Sequence, residues 1–146
     1  MSHAQQQILE AVQAALVDGL PPGRLVALDR MDPLAPRELP AVLVQEAPSG
    51  ESVAPGTVSS LEQRELDVLV SCVVAQGSGY AAAARELGRQ VEAILGAPRL
   101  SKPLTRTRLL GSRLALAGEA EDALASREQT WRITYFTRRG EPDQPH

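Results

Sequence analysis

Two segments of the chain carry hydrophobic residues at the spacing of an amphipathic helix. The first is residues 4–17 and the second is residues 80–95. In each, apolar positions recur three and four residues apart and polar positions lie between them. The apolar positions are Ile8, Leu9, Val12, Ala15 and Leu16 in the first segment, and Ala84, Leu87, Val91, Ile94 and Leu95 in the second. We expect Ser78 to cap the second helix and Gly88 to mark close packing of that helix against a sheet.

The remaining apolar runs indicate strands, because they are continuous or alternate with polar residues. They are Leu25–Leu28, Ala41–Val44, Leu61–Ala75, residues 104–116 (interrupted by Gly111) and residues 127–138. The order α-β-β-β-α-β-β predicts an α+β fold, with two helices packed on a mostly antiparallel or mixed sheet.

Proline, glycine and serine mark the predicted loops. These are residues 29–40 and residues 47–60, and residues 139–146 are expected to form a flexible tail. The length of 146 residues fits a single domain that spans 1–146.

The last predicted strand holds three of the four aromatic residues in the chain. Trp131 and Tyr135 fall on its more apolar face, so we expect them to anchor the helices over the sheet. Phe136 falls on the opposite, more polar face with Arg132 and Thr134, where an aromatic side chain is not expected in a monomer. The pattern therefore predicts that this strand belongs both to the core and to an interface.

The single cysteine, Cys72, excludes an internal disulfide framework and a cysteine-rich metal site. Its position on the apolar side of a strand favours a buried, unreactive thiol. No apolar run reaches the roughly 18–20 residues that cross a bilayer. The first residues also lack the basic and apolar regions of a secretory signal. We therefore expect a protein of a reducing cytoplasm, with no membrane partner.

Charge is unevenly distributed along the chain. Residues 1–97 hold 6 basic and 12 acidic side chains, a formal charge of -6, whereas residues 98–146 hold 9 and 6, a charge of +3. This asymmetry has two interpretations: a polarised surface without a role, or docking of an acidic surface on one copy against a basic surface on the next. Sequence-specific nucleic-acid binding is less favoured, because the whole chain is acidic and no basic run is interleaved with aromatic residues.

No arrangement of residues indicates an enzyme. His3 and His146 lie at the chain ends, so neither is expected to be a positioned base or ligand. Residues 77–79 lack the lysine and hydroxyl residues of a phosphate-binding loop, and the acidic residues at 119–122 do not match a calcium loop. We expect no catalytic residue, no cofactor and no metal. The pattern favours a binding or structural protein over a small hydrolase or cofactor-binding enzyme.

Several segments, taken in order, resemble phage tail terminator proteins of the lambda-like minor tail protein U type. The matching segments are the helix at Ile8–Leu16, the Leu-Pro-Ala-Val strand within Glu38–Val44, the strand Arg64–Val70, the helix from Tyr80, and the closing strand Thr130–Thr137 with its Ile-Thr-Tyr sequence. Together they cover roughly residues 4–138. None of these motifs is catalytic.

The resemblance implies a structural protein of the virion that is assembled in the host cytoplasm. Its copies would form a hexameric ring on the end of the tail tube, with DNA passing through the lumen. The implied partners are further copies of the chain, the tail tube protein and a head–neck connector protein. The alternative is another head–tail connector or head-closure neck protein.

Five arginines and one aromatic residue are the candidate interface. They are Arg106, Arg108, Arg113, Arg132, Phe136 and Arg138. We hypothesise that they contribute to contacts between subunits or with the tube. The simpler alternative for each arginine is an ordinary exposed strand residue.

Overall fold

A computed structural model describes residues 2–55, 60–97, 100–119 and 122–146. The helices are α1 (Ala4–Gly19) and α2 (Tyr80–Leu95), and a 3-10 turn spans Pro36–Glu38. The strands are β1 (Leu25–Leu28), β2 (Ala41–Pro55), β3 (Leu61–Ala75), β4 (Thr107–Ala117) and β5 (Leu124–Arg138). The predicted order of elements and the α+β class are confirmed. Neither described helix is long and apolar enough to cross a membrane.

The five strands form one mixed sheet in the order β1-β2-β3-β5-β4. β1 runs parallel to β2, and every other neighbouring pair is antiparallel. The central pair, β3 and β5, stays in register over fifteen residues, from Leu61 opposite Arg138 to Ala75 opposite Leu124. This long central pair fixes the faces on which the side chains of both strands lie.

Both helices pack on one face of the sheet. The core there contains Ile8, Val12 and Leu16 of α1, Leu87, Val91 and Leu95 of α2, and Leu66, Val68, Val70 and Cys72 of β3. Trp131, Ile133 and Tyr135 of β5 belong to the same core and are at most 3% exposed. The prediction that Trp131 and Tyr135 lie beneath the helices is therefore confirmed.

Cys72 is fully buried, as the alternation in its strand predicted. Burial, with a smaller contribution from the Glu92 carboxylate, raises the pKa of its thiol to about 12. The thiolate is therefore negligible at neutral pH, and we expect this cysteine not to react with thiol reagents in the folded protein.

Gly88 brings α2 close to β5. Its carbonyl accepts a hydrogen bond of 2.9 Å from Gln129 Nε2, and Gln129 Oε1 accepts one of 2.9 Å from Trp131 Nε1. A Cβ at Gly88 would lie 3.0 Å from Gln129 Nε2. The close packing expected at Gly88 is confirmed, but the expected Ser78 cap is wrong. Gly79 occupies the N-cap in a left-handed conformation (φ 75°) and provides no side-chain hydrogen bond.

The prediction of a loop at residues 47–60 is wrong for residues 47–55, which belong to β2. The register against β3 shifts between Glu46 and Glu51, so a bulge accommodates the residues between them. Gly50 has a φ of 66°, which suits glycine in such a bulge. Because this part of β2 is an edge, Pro55 does not remove a donor that the sheet needs. Residues 56–59 lie outside the described residues.

The chain end lies against the start of α1. The Ala4 N–H donates to Pro142 C=O (2.7 Å) and Gln7 Nε2 donates to Asp143 C=O (2.7 Å). The His146 N–H donates to Phe136 C=O, also at 2.7 Å. Residues 139–146 thus have defined contacts, and the flexibility expected of them stays a prediction.

His3 has a role that the sequence did not suggest. Its Nδ1 accepts a hydrogen bond of 3.0 Å from the Gln5 N–H and caps α1. This cap is a structural role, and the expectation that His3 is not a positioned base or ligand stays a prediction.

Candidate interface on the open face of the sheet

The face of the sheet opposite the helices carries the candidate interface. Side chains alternate between faces along a strand, and Trp131, Ile133 and Tyr135 point toward the helices. Arg132, Phe136 and Arg138 therefore point to the other face. The register of β4 with β5 adds Arg108, opposite Arg132, and Arg113, opposite Glu128. Arg106 joins them, because its guanidinium carbon lies 5.4 Å from the centre of the Phe136 ring. All six candidate residues thus lie on one face, which we call the open face.

Arg132 is held by carboxylates of its own chain. Its Nε and Nη2 donate to the two carboxylate oxygens of Asp67, at 2.9 and 3.2 Å, and Glu65 lies 3.3 Å from Nε. Ser49 Oγ donates to Asp67 at 2.8 Å. The Asp67 side chain is only 4% exposed. These contacts use part of the hydrogen-bonding capacity of the Arg132 guanidinium, so fewer of its donors remain for a partner.

The pKa of Asp67 reflects the same contacts. Burial alone would raise this pKa, but the hydrogen bonds from Arg132 and Ser49, with the Arg132 charge, lower it below its ordinary value. Asp67 is thus a carboxylate at neutral pH, paired with the guanidinium.

Arg106 and Arg108 are more available to a partner. Both are exposed, and neither has an ion-pair partner among the described residues. Together with Glu65, Arg132 and Thr134 they line a shallow depression on the open face. Arg106 stacks on Phe136, which orients its guanidinium and leaves its N–H groups free for a carboxylate or a backbone carbonyl.

Arg113 and Arg138 lie at opposite ends of the open face. Arg113 is exposed and its Nε lies 3.0 Å from a carboxylate oxygen of Glu128. Arg138 ends β5, is exposed, and has no ion-pair partner within the described ranges. The five candidate arginines thus form two groups: those with a carboxylate partner in the same chain, and those without one among the described residues.

A second polar cluster lies at the edge of the core. Glu51 Oε1 accepts from Arg64 Nη1 (3.0 Å) and from Gln5 Nε2 (2.9 Å), and its other oxygen accepts from the Tyr135 hydroxyl. Burial, followed by the hydrogen bond to Glu51, raises the pKa of Tyr135. Arg64 Nε also donates to Thr137 Oγ1 at 2.9 Å. The cluster joins β2, β3, β5 and α1.

The sequence did not predict that acidic residues of β3 pair with Arg132 on the open face. Glu65 and Asp67 alternate with the buried residues of β3, so their face was predictable. Their position beside Arg132 depends on the register between β3 and β5, which a single sequence does not give. Within the described residues, no group of three or more histidine, cysteine, aspartate or glutamate side chains could hold a metal ion.

No protein-family model matches the chain, and no curated protein matches it. Among solved structures, the chain is similar to a chain of the virion of a native gene transfer agent particle. The identity is 25%, the alignment covers 90% of this chain and 89% of the other, and the TM-score is 0.43. Because a TM-score this low does not establish a common architecture, the likeness says nothing about what this chain does.

Proposed function

We propose that this chain is a structural protein of a phage-like particle, a tail terminator that forms a ring on the end of the tail tube. The ring stops polymerisation of the tail tube protein and offers the surface to which the head–neck connector attaches. Its first partners are further copies of the chain, in a hexameric ring. The sequence resemblance suggests this role, and the surfaces of the fold are suited to it.

The observation that carries the proposal is the set of arginines on the open face. Arg106, Arg108 and Arg138 are exposed there, without an ion-pair partner among the described residues. A guanidinium has five N–H donors in a fixed, planar arrangement and pairs well with carboxylates and backbone carbonyls of another protein. Neither helix covers this face, so a flat protein surface can approach it. Such a face suits docking between proteins better than chemistry on a small substrate.

The proposed mechanism is steric and needs no catalytic residue. A head-to-tail contact between copies closes into a ring when its rotation allows closure. One face of the ring matches the end of the tube, and the other face does not reproduce that end, so no further tube protein adds. The exposed arginines on the open face of each copy also favour encounter with an acidic tube surface.

Polymerisation of the cognate tail tube protein tests the proposal. Tube lengths are measured by electron microscopy with the wild-type chain, with Arg108→Glu, and with Arg85→Glu as a matched control on the exposed side of α2. We expect the wild type and the control to stop tube growth, and Arg108→Glu to lose that effect. If the wild-type chain leaves tube length unchanged, the terminator role is wrong.

Particles made without this protein separate the terminator from the alternative neck role. A terminator is required to end the tube, so its absence should produce overlong tubes. Tails of normal length that fail to join heads would instead indicate a connector or head-closure protein.

A further inference from the structure

The outer edge of β4 is unpaired in a single copy. β4 is the last strand of the sheet and pairs only with β5, so the other side of Thr107–Ala117 has no strand beside it. Three leucines on β4 are exposed: Leu110 (38%), Leu114 (38%) and Leu116 (56%). An open edge with exposed leucines and no proline favours pairing with another strand.

The backbone groups on this edge can be assigned from the hydrogen-bond pattern. The Thr134 N–H donates to Arg106 C=O, so the even-numbered residues of β5 direct their backbone groups toward β4. Their register partners are Gly111, Arg113, Ala115 and Ala117. The residues between them, Ser112, Leu114 and Leu116, therefore direct their N–H and C=O groups outward. These groups can form hydrogen bonds with an added strand.

A second open edge lies on the opposite side of the sheet. β1 pairs only with Ala41–Val44 of β2, so residues 45–55 of β2 have no outer neighbour among the described strands. β1 itself is a poor edge, since it is four residues long and its Val26 carbonyl already accepts a hydrogen bond from Gln13 Nε2 at 3.0 Å. Val53, on the free part of β2, is 50% exposed.

Strand direction makes the two edges complementary. β4 runs antiparallel to β5, β5 to β3, and β3 to β2, so β4 is antiparallel to β2. A second copy rotated about an axis along the strands would present its β2 antiparallel to β4 of the first. The charged side chains do not meet across the two edges, because Arg108 and Arg113 lie on the open face and Glu46 and Glu51 lie on the helix side.

We propose that β4 of one copy adds to the free part of β2 of the next copy, so that the sheets of neighbouring copies join edge to edge. Leu114 and Val53 both lie on the helix side of the sheet, because their register partners, Arg127 and Arg64, lie on the core face of β5 and β3. The joint thus brings exposed apolar residues together on one side. Pairing of β4 with β4 is disfavoured, because it would oppose basic residues with basic residues. This inference rests on the proposed ring.

Crosslinking of mixed cysteine variants tests the joint. A tagged Leu114→Cys copy is mixed with an untagged Val53→Cys copy, with the tail tube protein present, and treated with a short bis-maleimide. The native Cys72 is buried and stays unreacted. We expect a crosslink between a tagged and an untagged copy in the mixture. Neither variant alone should give a crosslinked dimer. The control mixture contains Val17→Cys in place of Leu114→Cys. Val17 is an exposed residue of α1 (59% exposed), and this mixture should give no crosslink.

Three outcomes separate this inference from the proposed function. A crosslink between Leu114→Cys copies alone, or none in the mixture while tubes still stop at normal length, overturns the β4–β2 joint and leaves the terminator role intact. A crosslink in the mixture, together with tubes that continue to grow, supports the joint and removes the terminator role.

A second variant tests the joint without crosslinking. In native mass spectrometry, Leu114→Glu should shift the observed mass from the ring to the monomer, whereas Val17→Glu should not.

Discussion

At the scale of single residues, the open face separates side chains that shape it from side chains that are available to a partner. Arg132 and Arg113 have carboxylate partners in the same chain, at 2.9 and 3.0 Å. Arg106 and Arg108 are exposed without such partners among the described residues. Phe136 supports Arg106 by stacking and is only partly buried. Substitutions of the two kinds should therefore have different effects.

Phe136→Ala should weaken assembly more than folding. The aromatic side chain of Phe136 is not part of the core, and an exposed cation–π contact is worth about 0.5–1 kcal/mol. The free energy of unfolding should therefore fall by about 1 kcal/mol. Trp131→Ala is the contrasting variant, since truncation of a core tryptophan costs about 3–5 kcal/mol. Chemical denaturation measures folding and native mass spectrometry measures assembly. Unfolding of Phe136→Ala with normal assembly of the remaining folded protein would contradict its position at the interface.

Asp67→Asn should destabilise the fold and change its response to acid. It removes the charge that pairs with Arg132, at a cost of about 1–3 kcal/mol. Because the pKa of Asp67 is lowered in the folded state, its contribution is present above the ordinary aspartate pKa and is lost as pH falls through the lower folded value. The wild type should therefore lose more stability than Asp67→Asn on acidification below about pH 4. Parallel curves in urea titrations at several pH values would contradict the assignment.

At the scale of secondary-structure elements, the position of α2 depends on a contact that an added methyl group would disturb. Gly88→Ala removes the helix penalty of glycine, about 1 kcal/mol, and on that ground alone would stabilise α2. The new Cβ would lie 3.0 Å from Gln129 Nε2, which already bonds Gly88 C=O. We expect net destabilisation, measured as a lower Tm. A control, Arg89→Ala on the exposed side of α2, should change Tm little, and a higher Tm for Gly88→Ala would contradict the tight contact.

The sequence predicted elements with regular apolar periodicity and missed features that depend on pairing. The bounds of Leu61–Ala75 and Tyr80–Leu95 agree with the periodicity, since both segments bury a continuous apolar face. The second half of β2 was missed because proline, glycine and serine are typical of loops, and only the long partner β3 makes them a strand. The face of Phe136 followed from alternation, but the alignment of Arg108 with Arg132 required the register of β4 and β5.

At the scale of the whole molecule, the surfaces proposed for assembly draw on both halves of the chain. The open face combines arginines of β4 and β5 with acidic residues of β3. The β4 edge belongs to the basic half of the chain and the free edge of β2 to the acidic half. The two edges are complementary in strand direction and in the face on which their exposed apolar residues lie, not in charge.

Assembly that uses the exposed arginines of the open face should depend on salt. Screening acts over about 10 Å at 0.1 M and about 3 Å at 1 M ionic strength, so exposed arginine contacts should weaken as salt is added. We expect the fraction of assembled chain, measured by analytical ultracentrifugation, to fall between these concentrations. Arg108→Glu should be less assembled at low salt and less sensitive to added salt. A rise in assembly with salt would assign the main contribution to the leucine edge instead.

Native mass spectrometry of the chain with and without its tail tube protein tests the central claim most directly. We expect a closed ring of one subunit number, six, and a further complex of that ring with the tube protein. A monomer under both conditions, or an open series of masses without a preferred subunit number, would contradict it.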